Sequence, residues 1–126
     1  MAGITLGTPG YMSPEQIRGG KLDGRSDLFS AATVLYEMLT KSRPFPGDDI
    51  ATTLYRIVHE LPTPPAEFNP AIGPELTRVF ERAMAKDPNE RYATGAELAR
   101  AMRQAGGPAS GKSTARVAPV DATVRV

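Results

Sequence analysis

Three stretches of the sequence bring chemistry-bearing residues close together. Gly7-Thr8-Pro9-Gly10-Tyr11-Met12-Ser13-Pro14-Glu15 is a Gly/Pro-rich loop that offers two hydroxyls, a phenol and a carboxylate and runs directly into a helix cap. Lys86-Asp87-Pro88-Asn89-Glu90-Arg91-Tyr92 gathers charges of both signs in one polar turn. Taken singly, turn chemistry accounts for both compositions. The third, Gly106-Gly107-Pro108-Ala109-Ser110-Gly111-Lys112-Ser113, fits the phosphate-loop pattern G-x-x-x-x-G-K-[ST]. That loop aims its N–H groups at phosphates only when a buried strand leads into it and a helix leads out. Here a helical segment precedes it and 13 residues including Pro119 follow, so the stretch reads as a linker and Lys112 as no nucleotide ligand.

Other chemistries are excluded by composition. With no cysteine there is no disulfide framework, thiolate metal site or cysteine nucleophile, and the single His59 cannot build a multi-histidine zinc site. The formal charge of +1, from 15 basic and 14 acidic residues, sets up no field for nucleic acid or an anionic membrane. No segment approaches the ~20 apolar residues of a spanning helix, and the expected setting is soluble and cytoplasmic. At 126 residues the chain suits one domain.

These stretches must be held by helices, because the sequence carries no strand pattern and no internal repeat. Five short helical segments are expected, giving an all-α fold. Ser13, Pro14 and Gln16 open the first with a capping box, and Gly19-Gly20 ends it. The second spans about Asp27 to Thr40; it is apolar on most of its circumference, with Ser30, Thr33 and Glu37 as one polar stripe, and so belongs at the centre of the body. The third, about Asp48 to Glu60, places Ile50, Leu54, Ile57 and Val58 on one face and lies on the surface. Pro62 to Pro70 reads as an extended connector. Pro74 opens the fourth helix, whose Leu76, Val79, Phe80, Ala83 and Met84 follow the spacing of a core-facing stripe. Thr94 and Glu97 cap the fifth, which runs to about Gln104 with Leu98 and Met102 inward. From residue 106 to 126 the composition shifts to Gly, Ala, Ser, Thr, Val and Pro, as in a flexible tail.

In this order, the motifs resemble the C-terminal lobe of a bacterial-type serine/threonine protein kinase over roughly Gly3 to Arg103. Ser13-Pro14-Glu15 is similar to the A-P-E motif that closes the activation segment. Gly7-Thr8-Pro9-Gly10-Tyr11 resembles the loop that receives the substrate residue after the phosphoacceptor. Ser26-Asp27-Leu28-Phe29-Ser30 resembles the D-x-W-S start of the central helix, and Arg91 the arginine between the last two helices. The resemblance implies an ion pair between Glu15 and Arg91 that pins the substrate loop. It makes Thr8 a partner of the catalytic aspartate, and Asp27 an acceptor for the catalytic-loop backbone. It also marks Thr5 as a candidate phosphosite; Thr114 and Thr123, in the similar segments Thr114-Ala-Arg-Val117 and Thr123-Val-Arg-Val126, are two more. The pattern is departed from at Ser13, Phe29 and Ala32, where the family has alanine, tryptophan and glycine.

Phosphoryl transfer in this family also needs a Gly-rich loop, a strand lysine paired with a helix glutamate, an H-R-D loop with its asparagine, and D-F-G. None occurs in the 126 residues, so all would lie before Met1. The expectation is a truncated kinase: residues 1–105 a partial kinase domain, 106–126 the tail, no catalytic residue and no cofactor or metal site in this chain, ATP and magnesium belonging to the complete domain. Its partners would be a protein substrate or another kinase. A non-catalytic interaction module built on the same lobe, docking through the Gly7–Tyr11 loop and the Leu54, Tyr55 and Val58 region, is the alternative; an NTPase using Lys112 is a remote third.

Overall fold

A computed structural model describes residues 9–106; Thr5, Gly7, Thr8, Lys112, Thr114 and Thr123 lie outside the described residues. The described residues form five α-helices: α1 Pro14–Arg18, α2 Gly24–Thr40, α3 Ile50–His59, α4 Pro74–Ala83 and α5 Gly95–Gly106. Short 3-10 turns occur at Pro9–Tyr11, Pro65–Glu67 and Pro88–Glu90, and there is no strand among the described residues.

Local chemistry sets most helix ends. Ser13 Oγ accepts from Gln16 N–H at 3.3 Å while Ser13 N–H donates to Gln16 Oε1 at 2.8 Å, closing the capping box of α1. Gly19 ends it at φ 74°, where a Cβ would be strained. α2 starts three residues before Asp27, because the Asp23 carboxylate accepts from Arg25 N–H at 2.8 Å and so supplies an earlier cap. α3 starts after Asp49, which accepts from Thr52 N–H at 2.8 Å; Asp48 therefore stands outside the helix. At α5, Thr94 Oγ1 accepts from Glu97 N–H at 3.2 Å, but Glu97 reaches Ala93 N–H rather than that of Thr94. The Pro62–Pro70 connector is not wholly extended, since Pro65–Glu67 closes a 3-10 turn.

α2 supplies the core face. Leu28, Phe29, Ala32 and Tyr36 pack with Phe45, Ile57, Phe80, Met84 and Leu98, drawing on every other long helix. Phe29 stacks on Phe45 with ring centroids 6.1 Å apart, and Tyr36 meets Phe80 edge-on at 5.7 Å. Two expectations about polarity fail here. Thr33, read as part of a polar stripe, is fully buried because its hydroxyl donates to Phe29 O at 3.0 Å within its own helix, leaving a methyl to pack like valine. Conversely Val34 and Met38 are 45% and 69% exposed. With Asp27 and Ala31 they make one exposed stripe at i, i+4, i+7 and i+11, so α2 is buried on one side only.

α3 shows the same exchange: Ile50 is 62% exposed while Thr53 is buried. The turn before α3 folds over Thr53 so tightly that a Cβ on Gly47 would lie 2.7 Å from Thr53 Oγ1, and Ile50 is left on the outside.

Tyr36 joins this core to the connector: its hydroxyl donates to Thr63 O at 2.6 Å. Burial, helped by the Glu67 charge, pushes its pKa up to about 12. A raised folded-state pKa contributes stability that is complete below the unfolded value near 10 and is lost as pH rises from 10 toward 12. Tyr36→Phe is expected to cost about 1 kcal/mol at neutral pH and to flatten the alkaline loss between pH 10 and 12, as measured by urea unfolding at stepped pH.

Candidate functional site

Glu15 and Arg91, 76 positions apart, meet at the junction of α1, the start of α2 and the turn before α5. Arg91 Nη1 donates to Glu15 Oε2 at 2.7 Å and Nη2 to Glu15 Oε1 at 2.8 Å, a two-pronged pair in which the guanidinium is wholly buried. The remaining donors go to main-chain carbonyls: Nη1 to Arg25 O at 2.9 Å, Nη2 to Lys86 O at 3.3 Å and Nε to Ala85 O at 2.7 Å. All five N–H groups of the side chain are thereby used. The guanidinium also lies 5.0 Å from the Phe29 ring centroid. Ser26 Oγ donates to Glu15 Oε2 at 2.5 Å. Burial alone would raise the Glu15 pKa; hydrogen bonds from Arg91 and Ser26 outweigh it and hold the carboxyl at about 2.

A second tie holds the Pro9–Tyr11 turn to α2. The Tyr11 hydroxyl donates to Glu37 Oε1 at 2.6 Å, and Ser30 Oγ donates to Tyr11 O. The Glu37 hydrogen bond, then burial, raises the Tyr11 pKa. Arg43 Nε stands 3.7 Å from Glu37 Oε2, and its guanidinium covers Gly10 so closely that a Cβ there would lie 3.2 Å from Nη1. Pro9, Gly10 and Tyr11 are thus set against α2 between Ser30 and Glu37 and against the chain beyond it.

Of the residues singled out in the sequence, Glu15 and Arg91 come together, and Pro9, Gly10 and Tyr11 sit on the neighbouring turn. Asp27 does not join them: it is exposed and makes no side-chain hydrogen bond among the described residues. Val58 is buried and Leu54 half-buried, which leaves Tyr55, against the His59 ring at 4.5 Å, as the exposed part of the α3 docking region.

Sequence reasoning missed Ser26, Ser30 and Glu37. Ser30 and Glu37 are seven residues apart in the polar stripe of α2, a spacing that places both on the side facing the loop. Ser26 carried no such signal, because its contact to Glu15 crosses the break between α1 and α2. Lys86 was likewise unassigned. Its ammonium donates to Ile57 O at 2.5 Å, lies 4.3 Å from the Phe45 ring centroid, and is lowered to about 8 by burial and by Arg91.

What the described site can do is position, since its charged groups are already paired. No three of His, Cys, Asp or Glu cluster to hold a metal ion among the described residues. Arg91 has no donor left for a further ligand.

The Glu15 contribution has a defined pH signature. A depressed folded-state pKa gives stability that is present above the unfolded value of 4.5 and is lost as pH falls toward 2. Glu15→Gln is expected to cost about 3–5 kcal/mol at pH 7, because it leaves Arg91 buried without its counter-charge. The deficit should shrink as pH falls from 4.5 to 2, read by urea titration against wild type. A deficit independent of pH would assign Glu15 a packing role instead.

Comparisons with known proteins place this geometry. The family description Protein kinase domain matches residues 4–103. Serine/threonine-protein kinase PknB of Mycolicibacterium smegmatis is 46% identical over 93 residues, which are 74% of this chain and 15% of that protein. The DNA damage-responsive serine/threonine-protein kinase RqkA of Deinococcus radiodurans is 44% identical over 98 residues, 78% of this chain and 15% of that protein. Among solved structures, the Mycobacterium tuberculosis PknI kinase domain superposes with a TM-score of 0.61 at 26% identity, covering 78% of this chain and 34% of that one. The chain spans about 15% of the length of the curated relatives it matches. It belongs to the protein kinase domain family, as a segment of the bacterial serine/threonine type whose described helices are those of the C-terminal lobe.

Proposed function

We propose that the chain, in the cytoplasm, serves ATP-dependent phosphorylation of serine or threonine in proteins by supplying the substrate-positioning loop and helical scaffold of a kinase, while the groups that hold ATP and magnesium come from outside these 126 residues. The Gly7–Tyr11 loop takes the substrate residue that follows the phosphoacceptor, and Thr8 serves as partner of the catalytic aspartate. Glu15 and Arg91 hold that loop to the helices. Asp27 anchors the backbone of the catalytic loop.

The observation that carries this reading is the two-sidedness of α2. One face is packed in the core, and the loop is tied to it at Ser30 and Glu37. Another presents Asp27, Ala31, Val34 and Met38 to solvent, an apolar stripe headed by the acidic residue that in this family receives the catalytic loop. The chain covers 34% of the PknI kinase-domain structure, and the rest of such a domain has ample mass to cover that face. A module docking through the Gly7–Tyr11 loop and the α3 region would make no use of Val34 and Met38 in water.

Because transfer is positioning and charge stabilisation around ATP and magnesium, a chain without those groups has no means of accelerating it. Purified chain with labelled ATP, magnesium and a generic basic protein should give no turnover above buffer. Substituted for the segment it matches in M. smegmatis PknB, it should support phosphorylation of that protein, and Asp27→Ala in the chimera should lower kcat at least tenfold with little change in melting temperature. A chimera that folds and binds ATP but transfers no phosphate, or turnover by the isolated chain, would overturn the reading.

A further inference from the structure

Between α4 and α5 lies an open cavity of about 430 Å³. Its charged wall is Glu75, Arg78 and Arg82 of α4; its floor is Val79 with Ala101 and Ala105 of α5. Arg78 and Arg82 are one turn apart on the same face, an arrangement that repels unless an anion sits between them. Neither forms an ion pair with a carboxylate among the described residues, although Glu75 lies three positions before Arg78. Arg82 Cζ lies 4.2 Å from the Tyr92 ring centroid, a cation–π contact that restrains the side chain.

The occupant is suggested by where the chain goes next. α5 is described to Gly106, and its last turn contributes Gln104 and Ala105 to the cavity rim. Eight residues further on is Thr114-Ala115-Arg116-Val117. That length of chain reaches up to ~26 Å, enough to turn and come back along the ~18 Å of α5. The segment matches the cavity group for group once Thr114 carries a phosphate: a dianion for Arg78 and Arg82, a guanidinium at Arg116 for Glu75, and an apolar Val117 for Val79, Ala101 and Ala105. Without the phosphate the segment is cationic and meets two arginines.

We propose that the α4–α5 cavity is a phosphothreonine-binding groove whose ligand is this chain's own segment 114–117 phosphorylated on Thr114. The modification transfers the γ-phosphoryl group of ATP to Thr114 Oγ1: the new O–P bond forms as the bond to the β-phosphate oxygen breaks, ADP leaves and the hydroxyl proton is released. A serine/threonine protein kinase carries it out. Binding itself requires no phosphotransfer by this chain, so the groove stands or falls independently of the kinase reading above.

The test is a titration of the full chain into a fluorescent peptide of residues 111–120, followed by anisotropy. The Thr114-phosphorylated peptide should bind saturably and at least tenfold more tightly than the unmodified one. Arg78→Gln with Arg82→Gln should remove that advantage, and Glu75→Gln should reduce it about threefold; all three side chains are exposed, so circular dichroism and melting should match wild type. A Thr114-phosphorylated peptide carrying Arg116→Glu should bind worse than the native one. Equal binding with and without phosphate, unchanged binding by the double variant, or full competition by equimolar inorganic phosphate would overturn the proposal.

Discussion

The structure depends on one buried charge pair. Glu15 and Arg91 join the first described helix to the turn before the last, and the start of α2 donates to the carboxylate through Ser26 and accepts from the guanidinium through the Arg25 carbonyl. A buried ion pair is a poor source of net stability, because the desolvation of both charges nearly cancels their attraction. Its effect is selective. With all five guanidinium donors and both carboxylate oxygens committed, there is one arrangement of these three segments in which no charge is stranded, and every other arrangement carries the full penalty. Apolar contacts among Phe29, Phe80 and Leu98 would tolerate some sliding; the pair does not.

The loop before α1 is fixed from two directions as a result. Glu15 holds its C-terminal end to the turn at Arg91, and Tyr11 with Ser30 and Glu37 holds its middle to α2. Each tie crosses between elements distant in sequence, so each restricts the loop only while the helices keep their places. A surface that must present a backbone to a partner in one conformation gains from this, since ordering done on folding need not be repeated on binding.

How much of this was legible in the sequence differs by feature. Helix existence and order were, because capping residues act locally: Ser13 with Gln16, and Thr94 with Glu97, mark their helix starts within four residues. The Glu15–Arg91 pair was legible only through the resemblance of ordered motifs, since nothing local links residues 76 apart. What periodicity could not give was the side of α2 that is covered. Its near-uniform apolarity suggested burial all round, yet Thr33 is inside and Val34 and Met38 are outside. A threonine that satisfies its hydroxyl on its own helix is invisible to a polarity count, and an apolar residue is exposed wherever the described fold brings no neighbour. Ser26 and Lys86 went unread for the same reason: their partners are assembled by the tertiary fold.

Lys86 shows how the charge balance around the pair closes. Its ammonium and the Arg91 guanidinium are near enough for Arg91 to lower the lysine pKa, so two cations share the region with one buried carboxylate, Glu15. The excess positive charge is met by carbonyl oxygens at helix ends. Lys86 donates to Ile57 O and Arg56 O in the last turn of α3, and Arg91 to Ala85 O just beyond α4. Helix C-termini carry partial negative charge and accept cations on that account. Arg91 also takes the Lys86 carbonyl. One residue therefore faces both ways, with its carbonyl in the loop anchor and its ammonium on α3. The position of α3 is in this way coupled to the Glu15–Arg91 pair through Lys86, and the helix that leans on the Pro9–Tyr11 turn is set by the same charges that hold the loop.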